Sequence, residues 1–280
     1  MKSLLRYVVG ILLIILIVTG IRMFCAGSYR ISTASMNDAL QKGDFVLVNK
    51  ITGKMNPGRN RIVLFKSPLQ KDAPEPPTFL SRCVGMPGDT VQITEDGYCI
   101  NGRLLKDAPA PENLFRIRKD IKEPLLETLH DLQIPYRDIA EDSLCLTIRL
   151  TLKEERLIRE NLPQIVKIER VREDTGNYTF AIPTTGKPYK MDSANLIIYR
   201  EAILREVGEK GLIRDGKLLI DGKEIPAYSF RQDYYWMLSD NADDAIDSRH
   251  LGLIPSRSII GNVWFCWYSK DKARLFKQMN

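Results

Sequence analysis

Gly43-Asp44-Phe45-Val46-Leu47-Val48 reads as a β-strand, and Ser35-Met36 lead toward it from the end of an apolar N-terminal run. Aromatic and β-branched residues of this kind favour a pleated backbone. A serine where an apolar segment hands over to a β-rich region is a candidate nucleophile close to a bilayer surface. Its chemistry then turns on whether a base exists to activate it.

Outward from this strand, short β-type runs continue at 62–65 and 90–93, punctuated by Asn56-Pro57-Gly58 and Pro87-Gly88-Asp89, so residues 31–105 predict a sheet-rich core. Between about 115 and 174 the pattern changes to charged helical stretches at 125–132 and 152–162, set around β-type runs at 144–151 and 165–171. That order predicts a small α/β insert. After Tyr178 the β character returns, with one helical stretch near 194–207. Asn101-Gly102 and Asp221-Gly222 each close a short apolar run, and such pairs favour hairpin turns. The fold class expected is mainly β (α+β): an anchor over 1–27, a β-rich core from 28–114 and 175–280, and the insert over 115–174.

Residues 7–21 are apolar or glycine except for Thr19, and Met23-Phe24-Cys25-Ala26 follow Arg22. About twenty such residues span a hydrocarbon core, with Arg22 snorkelling to an interface. Lys2 and Arg6 flank the start, so the positive-inside rule predicts a single-pass protein of the cytoplasmic membrane. Its N-terminus is then cytoplasmic and its main domain lies on the outer face. A cleavable signal peptide is the rival reading, but the run is long for one and Cys25 with Gly27 makes a marginal cleavage pair.

The chain has 280 residues, 44% hydrophobic and 27% charged, with a net charge of +6 and a pI near 9.0. Its Lys and Arg are mixed with acids, and no nucleic-acid motif is present; the excess charge suits a surface beside anionic lipid. Five cysteines, Cys25, Cys83, Cys99, Cys145 and Cys266, are too few and too irregularly spaced for a disulfide scaffold or a zinc site. Buried free thiols, no metal and no cofactor are expected.

Four separated blocks carry a family resemblance. They are Thr33-Ala34-Ser35-Met36 with Leu40 and Gly43-Asp44, Arg61-Ile62-Val63-Leu64-Phe65, Arg82-Cys83-Val84-Gly85-Met86-Pro87-Gly88-Asp89, and Asp240-Asn241 with Asp247-Ser248-Arg249 and Gly252. In order, spacing and preceding anchor the chain resembles the type I signal peptidases, membrane-anchored serine endopeptidases of the Ser/Lys-dyad class, over roughly 5–105 and 178–267. The resemblance implies a signal-peptidase-like β-rich core and signal peptides of exported proteins as substrates. It also implies Ser35 as nucleophile, Thr33 and the Ser35 amide as oxyanion donors, and Met36 packed near the substrate pocket.

The departures from the family pattern concern the base. Where the family has its general-base lysine, just before the arginine of the third block, this chain has Ser81. A buried lysine has its pKa depressed from about 10.4, so that a neutral amine accepts the serine proton; a second serine has no such basicity. The usual Gly-Asp-Asn-Arg opening of the fourth block is Ser239-Asp240-Asn241-Ala242, and the family serine that hydrogen-bonds the lysine aligns with Ala245. Asp38 and Ala39 replace a proline and a threonine.

Replacement bases have little in their favour. His250 follows the fourth block, but relatives that use histidine place it at position 81; His130 sits in the insert, and Lys50, Lys54, Lys66 and Lys190 read as exposed charge. Asp89 and Asp247 read as structural, and Arg82 and Arg249 as loop anchors. Two functions follow: a signal peptidase with an unusual base, or a non-catalytic homologue, a pseudoenzyme, that binds exported peptides or a partner peptidase.

Overall fold

In the computed structural model of the chain, residues 7, 9–14, 19–20, 25–37, 39–69, 74–94, 97–105, 112–134, 140–162, 167–171, 178–241 and 245–277 are described. Asp38, Ala242 and much of the N-terminal apolar run lie outside them. Among the described residues no helix is long and apolar enough to cross a membrane. Two compact units are present, one formed by 1–89 with 181–280 and the other by 90–180.

The first unit is organised by Ile62–Lys66, whose Ile62, Val63, Leu64 and Phe65 are all buried. Because side chains alternate across a strand, four consecutive buried residues require cover on both faces. The strand lies fourth in a seven-stranded antiparallel sheet ordered Ala26–Arg30, Phe45–Asn49, Ile259–Tyr268, Ile62–Lys66, Thr78–Gly85, Tyr234–Leu238, Ile254–Pro255. Ile62 and Leu64 join Ile31, Met36, Leu40, Val46, Val48, Leu80 and Val263 in one core. Val63 and Phe65 join Cys83, Tyr235, Met237, Leu251, Ile254 and Ile259 in another. Register shifts at Phe45/Val46, Leu47/Val48, Ile259/Gly261 and Trp236/Met237 mark bulges, which bend a sheet and tighten its twist.

Two glycines of the third sequence block have definite backbone duties. A Cβ on Gly85 would meet Ile182 Cδ1 at 2.4 Å and Trp236 Cβ at 2.9 Å, so only glycine lets Trp236 pass across the strand. Gly88 has φ +87° in the turn that returns the chain to Ile182, a conformation glycine adopts without strain. The helix expected at 194–207 is Ser193–Val207, capped by the Asp192 carboxylate on the Asn195 amide at 3.0 Å.

In the second unit the sequence-predicted helices are Lys122–Asp131 and Leu152–Asn161, the latter opened by a Thr151/Glu154 capping box. They alternate with the strands Glu112–Arg118, Ala140–Glu141, Cys145–Thr151 and Ile168–Arg170. The order along the chain is β-α-β-β-α-β, and the antiparallel sheet runs Ile168–Arg170, Glu112–Arg118, Cys145–Thr151, Ala140–Glu141. This is a split β-α-β arrangement. Phe115, Ile117, Leu146, Ile148 and Leu150 pack from the sheet against Leu125, Leu129 and Ile158 of the helices. A second sheet joins Tyr178–Ala181, Thr90–Thr94, Gly97–Ile100 and Arg103–Leu104.

Candidate active site

Ser35 lies in the loop between the first two strands of the large sheet, Ala26–Arg30 and Phe45–Asn49. The base of this loop is closed by Ile31 N–H donating to Asp44 O at 2.8 Å and Gly43 N–H donating to Ile31 O at 2.9 Å. Ile31, Met36 and Leu40 plug it into the core, Met36 and Leu40 with no exposure at all. Met36, which the resemblance implies near the substrate pocket, is fully enclosed in this core. Asn241 pins the loop from the other side, its amide donating to Ser35 O at 3.0 Å and its Nδ2 to Ala34 O at 3.1 Å.

The Ser35 hydroxyl is 6% exposed and donates its proton to the Leu80 carbonyl at 3.1 Å. The Thr33 hydroxyl is 3.1 Å from the same oxygen. Since Ser35 has one proton and it is engaged at Leu80, the Thr33 hydroxyl is the donor of that pair. The Ser35 amide has no hydrogen-bond partner among the described residues. An amide without a partner among the described residues and a hydroxyl donor beside the serine oxygen are groups of the kind that can stabilise an oxyanion.

Ser81 forms a separate pair. Its hydroxyl is 3.0 Å from that of Ser239, and both residues are enclosed, 0% and 1% exposed. Among the described residues neither Ser35 nor Ser81 has an amine or imidazole as a hydrogen-bond partner. His250 is 55% exposed with Nδ1 3.9 Å from Asp247 Oδ1, and His130 is 91% exposed. Lys190 lies beside Asp192 and Lys50 lies over the Tyr29 ring. Cys83, next along the strand from Arg82, is no substitute nucleophile, because burial pushes its thiol up to about 12.

The conspicuous charges around the site serve structure. Arg59 holds Asp89 through Nη2 at 2.9 Å and Nη1 at 2.7 Å, and Asp89 accepts the Met86 amide at 2.7 Å. Asp247, completely buried, accepts from the Ser239 amide at 2.8 Å and from Arg249 Nε and Nη2, each at 2.9 Å. Ala245, where the resemblance implies a lysine-binding serine, offers no hydroxyl.

The profile described as "Signal peptidase, peptidase S26" matches residues 4–155 and 220–268 of this chain. The chain belongs to the signal peptidase I family. It is 27% identical to a "Signal peptidase I" of Aquifex aeolicus over 94% of this chain and 84% of that protein. A "Signal peptidase I" of Buchnera aphidicola (subsp. Baizongia pistaciae) is 24% identical over 91% of this chain and 73% of its own length. The corresponding Pseudomonas aeruginosa protein is 23% identical over 91% and 69%.

Within this signal peptidase relative, sequence reasoning missed three participants. The Leu80 carbonyl is a backbone group with no residue-type signature. Asn241 was read only as part of a matching block, although its side chain ties down the Ser35 loop. Ser239 was noticed as a departure from glycine, and that departure was the available signal of its contact with Ser81.

Proposed function

We propose that this protein acts at the outer face of the cytoplasmic membrane on the signal peptides of exported proteins, with Ser35 as the attacking residue. The observation that carries this reading is the Ser35 oxygen resting 3.1 Å from the Thr33 hydroxyl, in the family's motif, with the Ser35 amide unengaged among the described residues. Attack of the Ser35 oxygen on the scissile carbonyl would form an acyl-enzyme as the scissile C–N bond breaks and the amine of the mature protein leaves with the serine proton, Thr33 and the Ser35 amide meeting the developing oxyanion; water would then hydrolyse the ester and restore the Ser35 O–H.

Anchoring belongs to the same reading. It is supported by the apolar run flanked by Lys2 and Arg6. It is also supported by the half-exposed Trp264, Trp267 and Tyr268 on Ile259–Tyr268, where the Trp267 indole N–H donates to Ser28 Oγ at 2.9 Å. Amphipathic rings of this kind favour a membrane interface.

A second reading is favoured by one specific observation: Ser81 and Ser239 satisfy each other where the family has its base. Acid-base assistance is worth about a hundredfold to ten-thousandfold, so a site in which no described amine pairs with Ser35 or Ser81 suits binding of exported peptides, or of a partner peptidase, better than rapid turnover. The test uses full-length protein in lipid vesicles with a fluorogenic signal-peptide substrate. Cleavage that disappears in Ser35→Ala establishes the first reading; saturable binding by wild type with no cleavage establishes the second.

A further inference from the structure

We infer that Ser239 is the positioning residue that keeps position 81 closed to an amine: the two serines are a coupled pair, and neither can be changed independently. The inference concerns the site assigned above and rests on that assignment only for its catalytic arm. The ladder between Tyr234–Leu238 and Thr78–Gly85 pairs Leu238 with Arg82, which brings the next residues, Ser239 and Ser81, side by side. Their oxygens are 3.0 Å apart with essentially no solvent access.

A longer side chain at 81 would start with a carbon where the Ser81 oxygen now sits. That carbon would lie about 3 Å from the Ser239 oxygen, inside the roughly 3.5 Å at which carbon makes a favourable contact. It would also remove the hydroxyl's hydrogen-bond partner in a place water does not reach.

The Ser239 backbone cannot step aside, because it is held on each side of the side chain. Its amide donates to Asp247 Oδ2 at 2.8 Å, and Asp247 is itself gripped by Arg249. The next residue, Asp240, is held by Arg82 through Nε at 2.9 Å and Nη2 at 2.7 Å. Ser81 is equally fixed, paired with Val63 across the sheet. Loss of the Ser239 hydroxyl relieves the contact most directly. Ser239→Gly removes it without introducing a new group, so a lysine at 81 is expected to be accommodated better in that background.

The test is a double-mutant cycle on the full-length protein with Ser81→Lys, Ser239→Gly and the combination. Melting temperature and signal-peptide cleavage are measured across pH. Ser81→Lys alone is expected to melt well below wild type, and the combination to recover at least half of that loss. The combination is also expected to gain about tenfold or more in cleavage over Ser81→Lys, consistent with acid-base assistance, with a rate that rises as pH deprotonates the introduced amine and that vanishes in Ser35→Ala. Additive melting losses, with Ser81→Lys equally costly in the Ser239→Gly background, would overturn the inference. Recovered melting without any cleavage leaves the coupling established and counts instead against Ser35 as the attacking residue.

Discussion

Arg82 grips Asp240 with two parallel hydrogen bonds, Nε to Oδ1 at 2.9 Å and Nη2 to Oδ2 at 2.7 Å. The pair joins the strand that ends in Gly85 to the segment 239–241, whose Asn241 holds the Ser35 loop. A bidentate arginine fixes orientation as well as distance, which a lysine cannot do. Arg82→Lys is expected to destabilise the protein by about 1–3 kcal/mol and to weaken signal-peptide binding by loosening the loop. Urea unfolding and peptide binding check it; an unchanged unfolding midpoint would show that the clamp contributes nothing.

Thr33 is the hydroxyl donor to the Ser35 oxygen in the resting site. Thr33→Val keeps the shape and removes the donor. Loss of one oxyanion donor typically slows turnover about a hundredfold to a thousandfold. Cleavage kinetics in vesicles should show that loss in kcat with little change in KM and a melting temperature close to wild type. A rise in KM alone would assign Thr33 to ground-state binding.

Ile148 is fully enclosed in the second unit, on Cys145–Thr151, against the helix-borne Leu125, Leu129 and Ile158. Ile148→Ala leaves a cavity there and is expected to cost about 2–5 kcal/mol. Amide hydrogen exchange should lose protection along Glu112–Arg118 and Cys145–Thr151, the paired strands whose packing depends on that core. Retained protection along both strands would contradict the prediction.

What the sequence made legible was local. Phe45–Asn49, Lys122–Asp131, Leu152–Asn161 and Ser193–Val207 each announce themselves by periodicity or composition, and each is present. Thr78–Gly85 was not read as a strand, because Ser81 and Arg82 interrupt its apolar pattern; tertiary partners, Val63 and Leu238, hold it there. Ala140–Glu141 is too short and polar to signal itself, so the split β-α-β order emerged only from the sheet. At the site, the missing lysine was visible at position 81. The departure to serine at 239 was visible too, but its contact with Ser81 was not, because the two residues are 158 apart in sequence and such a separation leaves no periodic trace.

Asp44 closes the Ser35 loop and gives a pH test of how firmly that loop is held. Its buried carboxylate accepts Arg274 Nε at 3.0 Å and the Gln41 amide at 3.0 Å. Burial alone would raise its pKa, but the hydrogen bonds from Gln41, Ser269 and Arg274, with the Arg274 charge, outweigh it and leave the carboxyl below its ordinary value. A folded-state pKa below the unfolded one means that the unfolded chain binds the proton more readily in the interval between them. The stabilisation from Asp44 is therefore complete above about pH 4, the ordinary carboxyl value, and is lost as pH falls through the lower folded value. Asp44→Asn is expected to lower stability at neutral pH by about 1–3 kcal/mol and to flatten the acid limb of the stability curve. Urea unfolding from pH 7 down to pH 3 measures both effects. If the mutant curve runs parallel to wild type below pH 4, Asp44 is not the group whose protonation releases the loop.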